Sequence, residues 1–348
     1  MAAGEALRPW AYEVEAAPGP GEVDVEISHC GVCHSDVHQI DDAWGVACWP
    51  LVAGHEIVGR VVAVGAGVSK FSVGERAAIG VQRGNCGACG CCAAGMENVC
   101  PKILKTYAGP GKDKGGFARV IRYPSRWVFK VPEALRPEHA APLMCAGITV
   151  FAPLKRFLLG APGGAAGKRV GVIGIGGLGH VALQFAAKMG AHTVAISRTD
   201  SKAEEARGFG AAEFLASSDA AAMDASKGTF DMLLNTVSGN AGVDEYLALL
   251  KPRGTMACVG LPEKTEKSKM FLHSLVLQEK NLCGSYLGPY ADYGEMLEFA
   301  CRHGVAPMVE LYPMARVNEA IDRIRENKAR YRCVLTSEET GVDPAARM

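Results

Sequence analysis

RVGVIGIGGLGHVALQFAAKMGA, residues 169–191, is the stretch whose reading decides the fold. An apolar, β-branched run ends at Ile173. Gly174, Gly176 and Gly179 then fall into G-x-G-x-x-G spacing around Gly177 and Leu178. A helical pattern follows through Met189, and a second apolar strand begins near Thr193. The glycines permit, in turn, a tight turn, close approach of backbone to a pyrophosphate, and close packing of helix on strand. The phosphates then sit on free N–H groups at the helix N-terminus. Glycine turns of this spacing also occur without a ligand. Here the strand before, the helix after and the strand beyond favour a dinucleotide site.

Downstream, the second strand ends in Ser197, Arg198, Thr199, Asp200, Ser201 and Lys202. No acid sits at the tip itself to accept hydrogen bonds from a ribose 2′-OH. Hydroxyls, a guanidinium and a nearby ammonium suit a 2′-phosphate, which Arg can grip bidentately. The expectation is NADP(H), held by Ser197, Arg198, Thr199 and Lys202. The opposing reading is a solvated turn, with Asp200 pairing one of the cations. From about 146 to 286, strand and helix patterns alternate, which predicts a doubly wound α/β domain with a parallel sheet. Strands are expected at 169–173, 193–196, 232–236, 255–259 and 281–284, and helices at 293–302 and 317–327.

Upstream, NCGACGCCAAGMENVC (residues 85–100) spaces Cys86, Cys89, Cys92 and Cys100 as C-x2-C-x2-C-x7-C. Short gaps let one loop wrap a tetrahedral Zn²⁺, and four thiolates leave no open position, which describes a structural site. Disulfides in so short a loop would be strained. Cys91 adjoins Cys92; Cys92 keeps the even spacing, so Cys91 is expected to point off the metal. A second, open site has candidates in HCGVCHSDVHQ (29–39), GHE (54–56) and APLMCAGITV (141–150): Cys33, His55 and Cys145. Two thiolates, one imidazole and a water make a catalytic zinc site. Singly, each is ordinary: a buried histidine, or a cysteine acting as a small hydrophobe.

Over residues 22 to about 335 the chain resembles the zinc-dependent medium-chain alcohol dehydrogenases, in their cinnamyl alcohol dehydrogenase-like branch. The motifs are CGVCHSDVHQ, GHEIVGRVVAVGAGVSKFSVGERA, the cysteine lobe, GGFARV, APLMCAGITVF, GIGGLGH and RYRCVL. The resemblance implies a mostly-β GroES-like catalytic domain (1–145 and 287–348) with an inserted Rossmann domain (146–286). It implies two Zn²⁺ per chain, the catalytic one on Cys33, His55 and Cys145. Glu56 would lie beside the metal and Asp36 would orient the ligand histidine. Ser35 and His38 would form a proton relay, Thr149 would brace the nicotinamide, and Arg332 would lie near the cofactor phosphates. It also implies a homodimer, with the strand near 281–285 as the edge.

The remaining composition agrees with such an enzyme. The chain has 348 residues, enough for two domains, and 37 basic against 37 acidic side chains, so nothing points to nucleic acid or an electrostatic membrane contact. The first residues carry acids and prolines and no apolar run, and no stretch reads as a membrane span. Of 13 cysteines, six are placed as ligands, and the scattered remainder is expected of reduced cytoplasmic thiols. Substrate-pocket candidates are Gln39, Trp44, Val46, Leu51, Tyr286 and Leu287; the aromatic faces suit an aromatic or long aliphatic aldehyde. CPKILK replaces the CPKKIW of lignin-pathway members, which favours a broad aldehyde reductase. The alternatives are a polyol or NAD-linked alcohol dehydrogenase, or a non-catalytic zinc- or nucleotide-binding paralogue.

Overall fold

The computed structural model describes residues 3–13, 15–107, 114–161, 163–239, 242–262, 270 and 272–337. It divides into two compact units, Met1–Cys145 with Pro289–Met348, and Ala146–Gly288. The second boundary thus falls just beyond the expected 286.

The inserted unit holds a six-stranded parallel sheet in the order Glu213–Ala216, His192–Ser197, Arg169–Ile173, Phe230–Asn235, Leu250–Cys258, Asn281–Gly284. Its central strands are buried on both faces (Val170, Val172, Val194, Ile196, Leu233 and Leu234 have no exposure), which is why they read as continuous apolar runs. The first strand lies in the middle, so chain direction across the sheet reverses beside its C-terminal end, where such folds bind ligands. The turn there depends on glycine. Gly174 adopts φ +86°, and a Cβ on Gly179 would collide with the Gly174 carbonyl. Around Gly176 there is open space.

The other unit is built on Glu22–Val32, a long strand that serves several partners. Its first half pairs with Val120–Pro124, its last residues pair with Arg332–Thr336, and Glu56–Val64 runs antiparallel along the other side. Val309–Pro313, Arg76–Ile79 and Val128–Lys130 complete seven strands. The returning strand at 332–336 is the one RYRCVL predicts. Val23, Val25, Ile27, Ile57, Val61, Tyr123 and Trp127 form one core of this unit, and Cys333 and Leu335 of the returning strand join Val32, Val37 and Ile40 in another.

Residues Pro137–Leu159 run helical and are long and apolar enough, by composition, to cross a membrane. The sequence reading had found no such stretch. In the structure 78% of that apolar window is buried inside the protein, so its character is that of a core helix. Pro142 and Pro153 interrupt it, and π-helical turns follow at Leu143–Gly147 and Lys155–Leu159. A proline removes an N–H from the helical ladder, and an inserted π turn is one way the backbone re-registers.

Candidate active site and metal centres

Helix His34–Ile40 starts at Cys33, and its capping fixes the site. Asp36 Oδ2 accepts from the Cys33 N–H at 2.9 Å, and Cys33 Sγ accepts from the Ser35 N–H at 3.5 Å. The other oxygen of Asp36 accepts from the Gly54 N–H at 2.9 Å and faces His55 Nδ1 at 3.0 Å. One buried carboxylate therefore ties the segment bearing Cys33 to the one bearing His55. With Nδ1–H donating to Asp36, the His55 Nε2 keeps its lone pair. That atom is buried and has no hydrogen-bond partner. Cys145 enters from the π turn Leu143–Gly147, and its sulfur lies 3.9 Å from that of Cys33. π turns recur at functional positions.

Ligand atoms of Cys33, His55, Glu56 and Cys145 all lie within 4.8 Å of one another. Zn–S bonds of about 2.3 Å at the tetrahedral angle place two sulfurs about 3.8 Å apart, so the donor set and its unpartnered Nε2 fit zinc. The same groups are strongly shifted, and not all in the direction of ligation: donation to Cys33, then burial, pushes the Cys145 thiol up. Donation from the Cys145 thiol pulls Cys33 well below the ordinary thiol range. Burial pushes His55 down, and the Asp36 carboxylate outweighs it and lifts the imidazole well above its ordinary value. Burial raises Glu56 to about 7, against the opposing pull of Arg332. Glu56 Oε1 accepts from the Arg332 guanidinium, while its Oε2 has no partner. Gly31 makes room for that carboxylate, because a Cβ there would collide with it.

The cysteine lobe converges as well. Sulfur separations are 3.5 Å (Cys89–Cys92), 3.6 Å (Cys86–Cys100), 3.8 Å (Cys89–Cys100) and 3.9 Å (Cys86–Cys92). These bracket the tetrahedral zinc value. Donors face the sulfurs: Cys89 N–H to Cys86 at 3.4 Å, Lys102 N–H to Cys100 at 3.4 Å, and the Asn85 amide to Cys92 at 3.1 Å. Cys91 is outside the cluster.

At the nucleotide loop, Thr236 Oγ1 donates to the carbonyls of Ile173 and Gly174, both at 2.9 Å, and clamps the turn. Ser197 is half-buried at the strand tip; Arg198 and Thr199 are exposed beyond it, and Arg198 makes no ion pair among the described residues. Lys202 has a contact within the nucleotide loop. Its ammonium donates to the Ile175 carbonyl at 2.7 Å and so latches the glycine loop itself. Arg332, expected near the cofactor phosphates, is buried against Glu56.

The relay and pocket residues are placed as follows. Ser35 sits in the first turn after Cys33, and its hydroxyl has no hydrogen bond among the described residues. His38 stacks on Trp44 (4.8 Å between centroids) and lies 5.3 Å from His34. Gln39 Oε1 and Trp44 Nε1 are buried without partners, whereas Val46 is exposed. Thr149 is buried on the helix Ile148–Leu154, and Tyr286 and Leu287 follow the strand Asn281–Gly284; all three belong to the other unit. Sequence reasoning missed Tyr107, whose hydroxyl lies 3.0 Å from His55 Nδ1. That contact spans 52 residues and has no spacing signature.

A zinc-type ligand set in one unit and a dinucleotide fold in the other define a class, the metal-dependent dehydrogenases, and comparison with known proteins narrows it. Residues 19–133 match the alcohol dehydrogenase GroES-like domain, and residues 177–302 match the zinc-binding dehydrogenase family. A probable cinnamyl alcohol dehydrogenase of Oryza sativa subsp. japonica is 42% identical over 334 residues, 94% of this chain and 89% of that protein. The solved structure of a cinnamyl alcohol dehydrogenase from Sorghum bicolor superposes with a TM-score of 0.89 at 38% identity, covering 96% of each chain. One from Helicobacter pylori, complexed with NADP(H), gives 0.83 at 30% identity over 93% of this chain and 92% of that one. The chain belongs to the zinc-dependent medium-chain alcohol dehydrogenases, in the cinnamyl alcohol dehydrogenase-like branch, and is an alcohol/aldehyde oxidoreductase.

Proposed function

We propose that the protein is an NADP(H)-dependent reductase of aromatic, cinnamaldehyde-type and medium-chain aliphatic aldehydes, reversible to oxidation of the primary alcohols. The observation that carries this is the convergence of Cys33, His55 and Cys145 with an unpartnered, buried Nε2. Cys33, His55 and Cys145 would hold the catalytic ion, and Cys86, Cys89, Cys92 and Cys100 the structural one. When bound, zinc polarises a carbonyl oxygen as a Lewis acid, and the dihydronicotinamide supplies a hydride.

The chain's own residues do the rest. Asp36 holds His55 in one tautomer. Ser35 Oγ delivers the proton to the substrate oxygen, and His38 restores it from solvent. Glu56, held by Arg332, keeps a carboxylate beside the ligand set. Gly174 to Gly179 receive the pyrophosphate, Ser197, Arg198 and Thr199 the 2′-phosphate, and Thr149 braces the nicotinamide ring. Gln39 and Trp44, with one acceptor and one donor unpartnered among the described residues, and Val46 are the substrate-facing residues of the metal-bearing unit, and Tyr286 and Leu287 those of the other unit. In this reading the enzyme is a cytoplasmic homodimer joined at the sheet edge Asn281–Gly284.

Initial rates with NADPH and with NADH over aromatic, aliphatic and polyol-derived carbonyls test it. The expected result is a strong preference for NADPH and for the aromatic and medium-chain aldehydes. Equal rates with both cofactors would return Arg198 to a solvated turn.

A further inference from the structure

Tyr107 has no part in the chemistry above, yet it touches the ligand histidine from behind. Its ring is buried, with 6% exposure. Its hydroxyl stands 3.0 Å from His55 Nδ1, which itself stands 3.0 Å from Asp36 Oδ1. The preceding residue anchors it from the opposite side, Thr106 Oγ1 bonding the Gly80 carbonyl and, at 2.8 Å, the Tyr123 hydroxyl. An imidazole whose Nε2 keeps a lone pair has a single proton on Nδ1. Two oxygens, Asp36 Oδ1 and the Tyr107 hydroxyl, converge on that N–H. Rotation of the His55 ring therefore breaks two contacts instead of one.

We propose that Tyr107 is a positioning residue of the metal site, fixing the Asp36–His55 pair so that Nε2 stays aimed at the ion. This rests on the reading of Cys33, His55 and Cys145 as ligands. The substitution Tyr107→Phe removes only the hydroxyl, and the four-cysteine lobe serves as an internal control. The measurements are zinc release from the full chain to a chromogenic chelator and the visible spectrum of the cobalt-substituted protein.

One zinc equivalent should leave about ten- to a hundredfold more readily and the cobalt bands should shift, while the second equivalent and the far-UV circular dichroism stay as in the parent. Unchanged release and spectrum, or equal weakening of both equivalents, would overturn the proposal. A parent that yields a single equivalent would overturn the ligand reading, and the proposal with it.

Discussion

Single residues divide the labour in ways that substitutions can separate. Ser35 carries a hydroxyl with no hydrogen bond among the described residues, in the turn that opens at Cys33. Ser35→Ala should lower kcat about 10²–10⁴-fold, the usual worth of positioned proton transfer, with metal content and NADPH affinity retained; a kcat within twofold of the parent would remove Ser35 from the relay. Arg198 and Lys202 make a second pair. Arg198→Ala should weaken NADPH by about 1.5–3 kcal/mol, the worth of a charged hydrogen bond, and leave NADH nearly untouched. Lys202 latches the Ile175 carbonyl, so Lys202→Ala should weaken both cofactors alike. Titration of each variant with the two nucleotides reads the contrast, and a Lys202→Ala defect confined to NADPH would put its ammonium back on the 2′-phosphate. The ligand residues were legible because they sit in short motifs. Tyr107 and the Glu56–Arg332 pair were not, since they meet across 52 and 276 residues and no local pattern announces such contacts.

Elements carry the next set of constraints. The strand–turn–helix of residues 169–188 works because Gly179 lets the helix press on the Gly174 carbonyl. Gly179→Ala must push the two apart, so affinity for NADPH and NADH should fall together and the melting temperature should drop; unchanged nucleotide binding would mean the turn tolerates a methyl group there. The four-cysteine lobe is a short, exposed loop with little core of its own, and structural zinc supplies folding energy to such elements. Cys89→Ser should therefore show itself first as loss of soluble, folded protein, and a variant with parental stability would deny the lobe that role. Strands with continuous apolar runs were read from sequence within a few residues of their observed ends. Glu213–Ala216 and Val309–Pro313 were not foreseen, because each has only one buried residue and thus little hydrophobic signal. The π turn that presents Cys145 has no periodicity of its own; Pro142 is its one mark in the sequence.

At the scale of the whole molecule, one chain combines a metal-bearing unit of strands and loops with a parallel-sheet unit for the nucleotide. That insertion was readable because the hydrophobic pattern changes character near 146, and because RYRCVL supplies the strand that returns to Glu22–Val32. Two zinc ions with separate duties are the claim on which the rest depends, one in the lobe for folding and one on Cys33, His55 and Cys145 for chemistry. Elemental analysis of zinc per chain in the parent and in His55→Ala, run beside NADPH-dependent aldehyde reduction, tests it most directly. The count should fall from two to one, with reduction abolished and the fold kept. A fully active parent holding one zinc, or a His55→Ala protein that keeps both ions and its activity, would contradict it.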